Sequence, residues 1–337
     1  MTHDELVQRF TNLKKYKPEI VERSYGIKNV HRSFLKYSGK QLVINSPNNY
    51  YDVYDNISDY FIEHVRIDCI RSDQKQSVRQ YWNSCRDEVV AYCTKKYGVV
   101  NTHNLRESLY DLISECNTFK PSLAVCFIKM FNATTVLDIS AGWGDRLIGA
   151  MACNVNYVGV DPADLHTEYA SIIDYFRPLI MPTNTPIITP PTSSSSIHTH
   201  STPIVPSAPI TPTYIMIKSK FEEAIIPDLP YDMIFSSPPF FDLEKYVGED
   251  QSYMFRTIDQ WFEDFLMVSL NKAWHALIPN GHMVLYIADA YNRKPYVQRT
   301  IDRVNEFTGS RYIGCLPQMD VAGRKPPRPF YIWKKYK

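Results

Sequence analysis

The chain is predicted to be an α/β protein built on a mostly parallel sheet, and three observations predict it. Apolar runs of four to six residues recur between positions 135 and 287, and helical patterns separate them. Two of those runs end in segments suited to a binding edge, AGWG at 141–144 and SPPF at 237–240. Strands that alternate with helices at this spacing form parallel sheets, and such sheets need both faces covered.

The 337 residues suffice for one large α/β domain plus a smaller one, and 44% of them are hydrophobic, enough for a sizeable core. Charge nearly cancels, with 37 Lys and Arg against 36 Asp and Glu, so the chain does not coat nucleic acid by bulk electrostatics. Any such contact is local. Basic stretches occur at Lys14, Lys15, Lys17, Lys28, His31, Arg32, Lys36 and Lys40, and again from Arg324 to Lys337; a solvated face explains them equally well. The seven cysteines are odd in number and scattered, with no CxxC pair and no zinc spacing, so no metal is expected. No apolar leader opens the sequence and no run of about 18 apolar residues occurs. An intracellular protein, cytoplasmic or nuclear, is expected.

Taken in order, residues 1–103 carry many tyrosines and then a helical pattern over Gln74–Tyr97, with Gly98 as its C-cap. They read as a mainly helical accessory region, either for target recognition or simply to cover one sheet face. Residues 104–337 read as the core. Helical patterns at Leu105–Cys116 and Ser122–Phe131 lead to a strand, Thr135–Ile139, a helix, Asp145–Ala152, and a second strand, Tyr157–Val160. Strands at Tyr214–Ile217 and Asp232–Phe235 follow, then a long helix from Ile258 to Leu277 and a strand at His282–Ile287 after the Asn280-Gly281 turn. Residues 182–213 contain eight prolines, eight threonines and six serines without one charged residue, and read as a disordered or polyproline-like insertion in a surface loop.

The turn after the first strand, Asp138-Ile-Ser140-Ala-Gly142-Trp-Gly144, brings two of only 12 glycines to a strand-to-helix junction. Glycine there permits positive φ and close approach of a ligand to the backbone. Asp161 ends the next strand, 23 positions after Asp138, where a carboxylate can accept both hydroxyls of a ribose; the plainer reading is a helix cap. Leu147 stands where a dinucleotide fingerprint has its third glycine, and no Gly-Lys-Ser/Thr follows as a P-loop requires. An acid on the strand, GxG, and an acid after the next strand resemble motif I and its successor in class I S-adenosylmethionine-dependent methyltransferases. The resemblance implies a mostly parallel, seven-stranded Rossmann-like sheet and S-adenosyl-L-methionine as cofactor. It assigns Asp138, Ser140, Gly142 and Gly144 to the methionine part of that cofactor, Asp161 to its ribose, and Glu222, more loosely, to its adenine.

The segment Ser237-Pro238-Pro239-Phe240 ends the fourth strand on the carboxyl side of the sheet, where open α/β sheets bind ligands. A sulfonium methyl is already activated, so the enzyme must chiefly hold a nucleophile in line with it. An exocyclic amine on a base is a difficult nucleophile because its lone pair is delocalised into the ring. Ser237 and the Pro238 carbonyl are acceptors for the amine's two hydrogens, consecutive prolines hold them rigidly, and Phe240 offers a face for an extruded base. The segment resembles motif IV, [DNS]-P-P-[YFW], of amino methyltransferases acting on adenine N6 or cytosine N4, serine being the form typical of the cytosine enzymes. Together with DISAGWGDRL it is also similar to methyltransferase-like proteins of large DNA viruses and phages. The likeness covers about residues 119–180 and 214–290.

These resemblances imply methyl transfer to DNA or RNA by direct displacement. Methylation of a protein side-chain amide, or a non-catalytic subunit that binds nucleic acid, are the alternatives. Target recognition then falls to the N-terminal region, to the loop from Phe241 to Thr257, or to a partner chain. Arg256, Arg293, Lys294 and the run Arg324–Arg328 are candidate phosphate contacts.

Overall fold

In the computed structural model the described residues are 1–23, 36–37, 40–45, 51–180, 211–241, 243–246, 254–289, 296–318 and 329–337. The chain begins with α1 (His3–Lys15), followed by β1 (Glu19–Arg23), β2 (Lys36–Tyr37) and β3 (Lys40–Asn45), which form a small antiparallel sheet in the order β1-β3-β2. Short helices α2 (Tyr51–Tyr54) and α3 (Asp59–Arg66) lead to β4 (Ile70–Arg71). Then come α4 (Val78–Tyr97), α5 (Thr102–Leu112) and α6 (Pro121–Phe131). Capping residues set these helices: Thr2 and Glu5 form a capping box on α1, Ser77 and Gln80 form another on α4, and α6 has proline in its first turn. Gly98 closes α4 with φ +71°, as expected for a C-cap.

The core continues with β5 (Thr135–Asp138), α7 (Asp145–Cys153), β6 (Asn156–Asp161), α8 (His166–Ile180), β7 (Tyr214–Lys218) and β8 (Tyr231–Ser236). After β9 (Glu244–Lys245) a long helix runs through α9 (Ile258–Gln260), a π-helical segment (Trp261–Met267) and α10 (Val268–Ala276). The last elements are β10 (Leu277–Tyr286), α11 (Tyr296–Asn305), β11 (Ser310–Pro317) and β12 (Pro329–Lys335).

Seven strands make one sheet in the order β7-β6-β5-β8-β10-β12-β11. Neighbours from β7 to β10 are parallel, and β12 runs antiparallel to both β10 and β11. This is the mostly parallel, seven-stranded Rossmann-like sheet expected. From β5 the chain builds outward to β6 and β7, then crosses back to place β8 on the other side of β5. The strand order therefore reverses between β5 and β8, and a crevice opens at their carboxyl ends.

The strands divide the core by strict alternation. Val136, Tyr157, Met233, Phe235 and Val284 face one cluster, while Leu137, Val158, Ile234, Met283 and Leu285 face the other. The first cluster is closed by α6, α7 and α8 together with Leu6, Phe10 and Leu13 of α1; Phe10 stacks on Phe176 with ring centroids 4.1 Å apart. The second is closed by the helix from 258 to 276 and by α11. Residues 1–103 thus supply side chains to the same core that covers one face of the sheet.

Three features depart from the sequence reading. Helix α4 starts at Val78, not Gln74, and α5 starts at Thr102, not Leu105, because Ser77 and Asn101 cap them; α5 ends at Leu112, short of Cys116, where Ile113 turns to extended backbone. The strand expected at His282 begins at Leu277: pairing with β8 breaks after Leu277–Tyr231 and resumes at His282–Met233, so the Asn280 turn (φ +67°) is a bulge inside the strand. The terminal strands β11 and β12, which complete the seven-stranded sheet, were not located in the sequence, although Gly323 and Pro326-Pro327 mark a break between them. Residues 181–210, most of the Pro/Thr/Ser-rich segment, lie outside the described residues.

Candidate active site

The glycine turn lies at the carboxyl end of β5. Gly142 and Gly144 have φ of +57° and +80°, conformations that side chains disfavour. Their reasons differ. A Cβ on Gly142 would meet nothing nearer than the Arg146 guanidinium at 3.8 Å, so this glycine leaves open space above the turn. A Cβ on Gly144 would come within 3.0 Å of Ile172 Cδ1, so that glycine also lets α8 pack close to the start of α7.

Asp138 is fully buried, and its carboxylate is engaged on both oxygens. Oδ1 accepts the Ser140 N–H at 3.2 Å and the Ser236 hydroxyl at 2.7 Å. Oδ2 accepts Arg146 Nε at 2.6 Å and the Tyr157 hydroxyl at 2.7 Å. Arg146 also donates to the Ser140 carbonyl and lies over the Phe119 ring at 5.1 Å. Asp138 and the backbone of Ser140 thus brace the turn to which the resemblance assigns the methionine part of the cofactor. Asp145, the first residue of α7, is also buried; it accepts the Ser58 hydroxyl at 2.5 Å and the Phe119 N–H at 3.1 Å, and burial pushes its carboxyl up to about 8.

Asp161 ends β6 beside the turn. One oxygen takes the Gly142 N–H at 2.8 Å and the other the Ala163 N–H at 2.9 Å, so it ties the turn to β6 and closes a local turn with Ala163; it is not the helix cap of the plainer reading, because α8 starts only at His166. Burial raises its carboxyl to about 6, against the pull of those two N–H groups. The Tyr169 hydroxyl donates to the Gly142 carbonyl from α8. Glu222 sits in the turn after β7. Its Oε2 is buried with no hydrogen-bond partner among the described residues, and burial raises its carboxyl above the usual range. The amine of Lys272 fixes that turn by donating to the Phe221, Glu222 and Ala224 carbonyls.

Strand β8 ends at Ser236, and Ser237, Pro238, Pro239 and Phe240 continue from it at the same edge. Pro238 is buried, while Ser237, Pro239 and Phe240 are half-buried. Phe240 and Phe241 pack against the second core cluster. The chain then returns to β9, which pairs with β4 through Ile70–Lys245 and Arg71–Glu244; the Ser72 N–H extends this ladder to the Leu243 carbonyl at 2.8 Å. Glu244 is buried and accepts the Asn117 N–H at 3.1 Å and the Tyr246 hydroxyl at 2.5 Å. Tyr246 meets Trp143 of the glycine turn edge-on, with centroids 5.7 Å apart.

Sequence reasoning missed Ser236, Arg146, Tyr157 and Tyr169. Arg146 stands directly before the apolar stretch Leu147–Ala152, in a first helical turn where a charge is ordinary, so the sequence carried only a weak signal that it is buried and needs a buried anion. Of the candidate phosphate contacts, Arg256 is exposed, whereas Arg293, Lys294 and Arg324–Arg328 lie outside the described residues. Lys14 and Lys335 are used internally, donating to the Leu179 carbonyl and to the Trp274 and Leu277 carbonyls. Among the described residues no cluster of His, Cys, Asp and Glu could hold a metal ion, and no helix is long and apolar enough to cross a membrane.

No family model matches the chain, and no curated protein matches it. Among solved structures it is similar to a methyltransferase from Pyrococcus furiosus, at 16% identity and a TM-score of 0.41 over 75% of this chain and 100% of that one. It is similar to an rRNA methylase from Streptococcus thermophilus, at 9% identity and a TM-score of 0.39 over 66% of this chain and 100% of that one. It is also similar to the magnesium protoporphyrin IX methyltransferase of Synechocystis with bound SAM, at 9% identity and a TM-score of 0.37 over 77% and 95% of the two chains.

Proposed function

We propose that the chain is an S-adenosylmethionine-dependent methyltransferase that methylates an exocyclic amine of a nucleic-acid base, adenine N6 or cytosine N4, by direct displacement. The observation that carries this reading is the meeting of two strand ends at the switch point, where Ser236 of the SSPPF segment bonds to Asp138 of the glycine turn at 2.7 Å.

The residues present fit the cofactor. Space stands open over Gly142, and each oxygen of Asp161 accepts one backbone N–H, leaving lone pairs for ribose hydroxyls. The unpartnered oxygen of Glu222 suits a donor such as an adenine amine. Asp138 and Ser140 hold the turn in shape, and Gly142 and Gly144 present its backbone. When bound, the cofactor supplies a methyl group already activated on a sulfonium. The Ser237 hydroxyl and Pro238 carbonyl accept the amine's hydrogens and so orient its lone pair, the Pro238-Pro239 pair fixes both acceptors, and Phe240 stacks on the base.

The test is transfer of labelled methyl to unmethylated DNA, RNA and a protein extract, followed by nucleoside mass spectrometry. N6-methyladenine or N4-methylcytosine is expected; label in protein alone would overturn the reading. Ser237→Ala and Phe240→Ala should retain cofactor binding while transfer falls about 100-fold or more. Asp161→Ala should raise the cofactor dissociation constant about 10- to 100-fold, the worth of hydrogen bonds to a charged acceptor.

A further inference from the structure

The parallel ladder between β5 and β8 runs through Val136–Met233 and Leu137–Ile234. Beyond that pair the crevice opens, and the Ser236 hydroxyl continues the connection to Asp138. Both residues are fully buried. The acceptor atom is shared: Oδ1 of Asp138 receives Ser236 from the acceptor strand and the Ser140 N–H from the glycine turn. The other oxygen is anchored by Arg146 and Tyr157, so the carboxylate cannot swing to follow either motif. One fixed oxygen thus sets the spacing of two segments that come from distant parts of the chain.

We infer that Ser236 is a positioning residue for methyl transfer, coupling the SSPPF segment to the cofactor turn through Asp138 Oδ1. The inference rests on the transferase reading for its kinetic consequence, and on the hydrogen bond alone for its structural one. Ser236 touches neither cofactor nor acceptor in this role; it fixes where Ser237, Pro238 and Phe240 stand. Loss of its hydroxyl leaves Asp138 with three of its four donors, so the turn keeps its form. The acceptor segment, by contrast, loses its tie to the turn and is held on that strand only by the pairing of Ser236 with Leu285 of β10, and a misplacement of about 1 Å between reacting groups costs roughly 100-fold in rate.

The decisive pair is Ser236→Thr and Ser236→Val, which match in volume and differ by the hydroxyl. Cofactor affinity should change less than about threefold in either, and kcat should fall about 10- to 100-fold in the valine variant only. Equal kcat in the two variants overturns the inference, as does a loss of cofactor affinity parallel to the loss of kcat. Ser236→Ala serves if the larger side chains do not fit the buried site. Hydrogen exchange on the protein without cofactor provides the readout that is independent of catalysis. In Ser236→Ala, exchange should quicken in the peptide spanning 235–241 and stay unchanged in that spanning 139–147. Unchanged exchange at 235–241 overturns the coupling. If wild-type protein transfers no methyl yet shows this exchange pattern, the coupling stands and the transferase reading falls.

Discussion

The two halves of the crevice are built on opposite plans. The glycine turn is held from every side: Asp138 takes four donors, Arg146 reaches back to Ser140, Asp161 holds Gly142 by its N–H and Tyr169 holds it by its carbonyl. The SSPPF segment is stiffened covalently by two prolines, is anchored at its buried first residue Ser236, and leaves Ser237, Pro239 and Phe240 half-buried. Under the proposed function, such a turn would suit the same small molecule at every turnover. A segment with its polar groups near the surface would admit a larger, variable acceptor. The difference teaches that rigidity comes from buried charge on one side and from restricted φ on the other.

Substitutions can break that contrast. The largest effect is expected at Arg146→Leu, which leaves Asp138 buried without its cation and should cost about 3–5 kcal/mol in a denaturant titration. A cost below about 1 kcal/mol would show that the turn does not depend on its buried ion pair. Next is the pH dependence of Asp145, whose carboxyl rises from an ordinary value of 3.8 to about 8 on burial. The unfolded chain releases that proton near pH 4 and the folded chain keeps it until about 8, so stability falls as pH rises between them, by up to about 1.4 kcal/mol per unit. Asp145→Asn should flatten that slope in melts recorded from pH 5 to 8; an unchanged slope would assign it to another group. The smallest effect is expected on the other side of the crevice, where Ser237→Ala should shift stability by less than about 0.5 kcal/mol. A shift as large as that of Arg146→Leu would erase the contrast.

The parallel part of the sheet was legible because buried strands write themselves as short apolar runs, as in Thr135–Asp138 and Tyr231–Ser236, and glycine and proline mark their ends. Gly98 was legible for the same local reason. The interior of the site was not. That Ser236 rather than Ser237 bonds to Asp138 depends on the register of β8 against β5, and no local pattern encodes that register. Arg146 looked like any charge in a first helical turn until Asp138 and Tyr157 were seen around it. The integration of α1 into the main core was hidden too, since the partner of Phe10 is Phe176, far along the chain.

The short ladder of β4 with β9 closes a loop that contains most of the parallel sheet. Beyond its few ladder bonds, this pairing is held by Glu244 and Tyr246, which meet Asn117 and Trp143, and it should open at lower cost than the central strands. The segment next to it is SSPPFF. Opening of this ladder would therefore free the stretch beside the SSPPF segment while the glycine turn, with its ion pair in the main core, keeps its shape, giving the crevice one fixed wall and one that can yield.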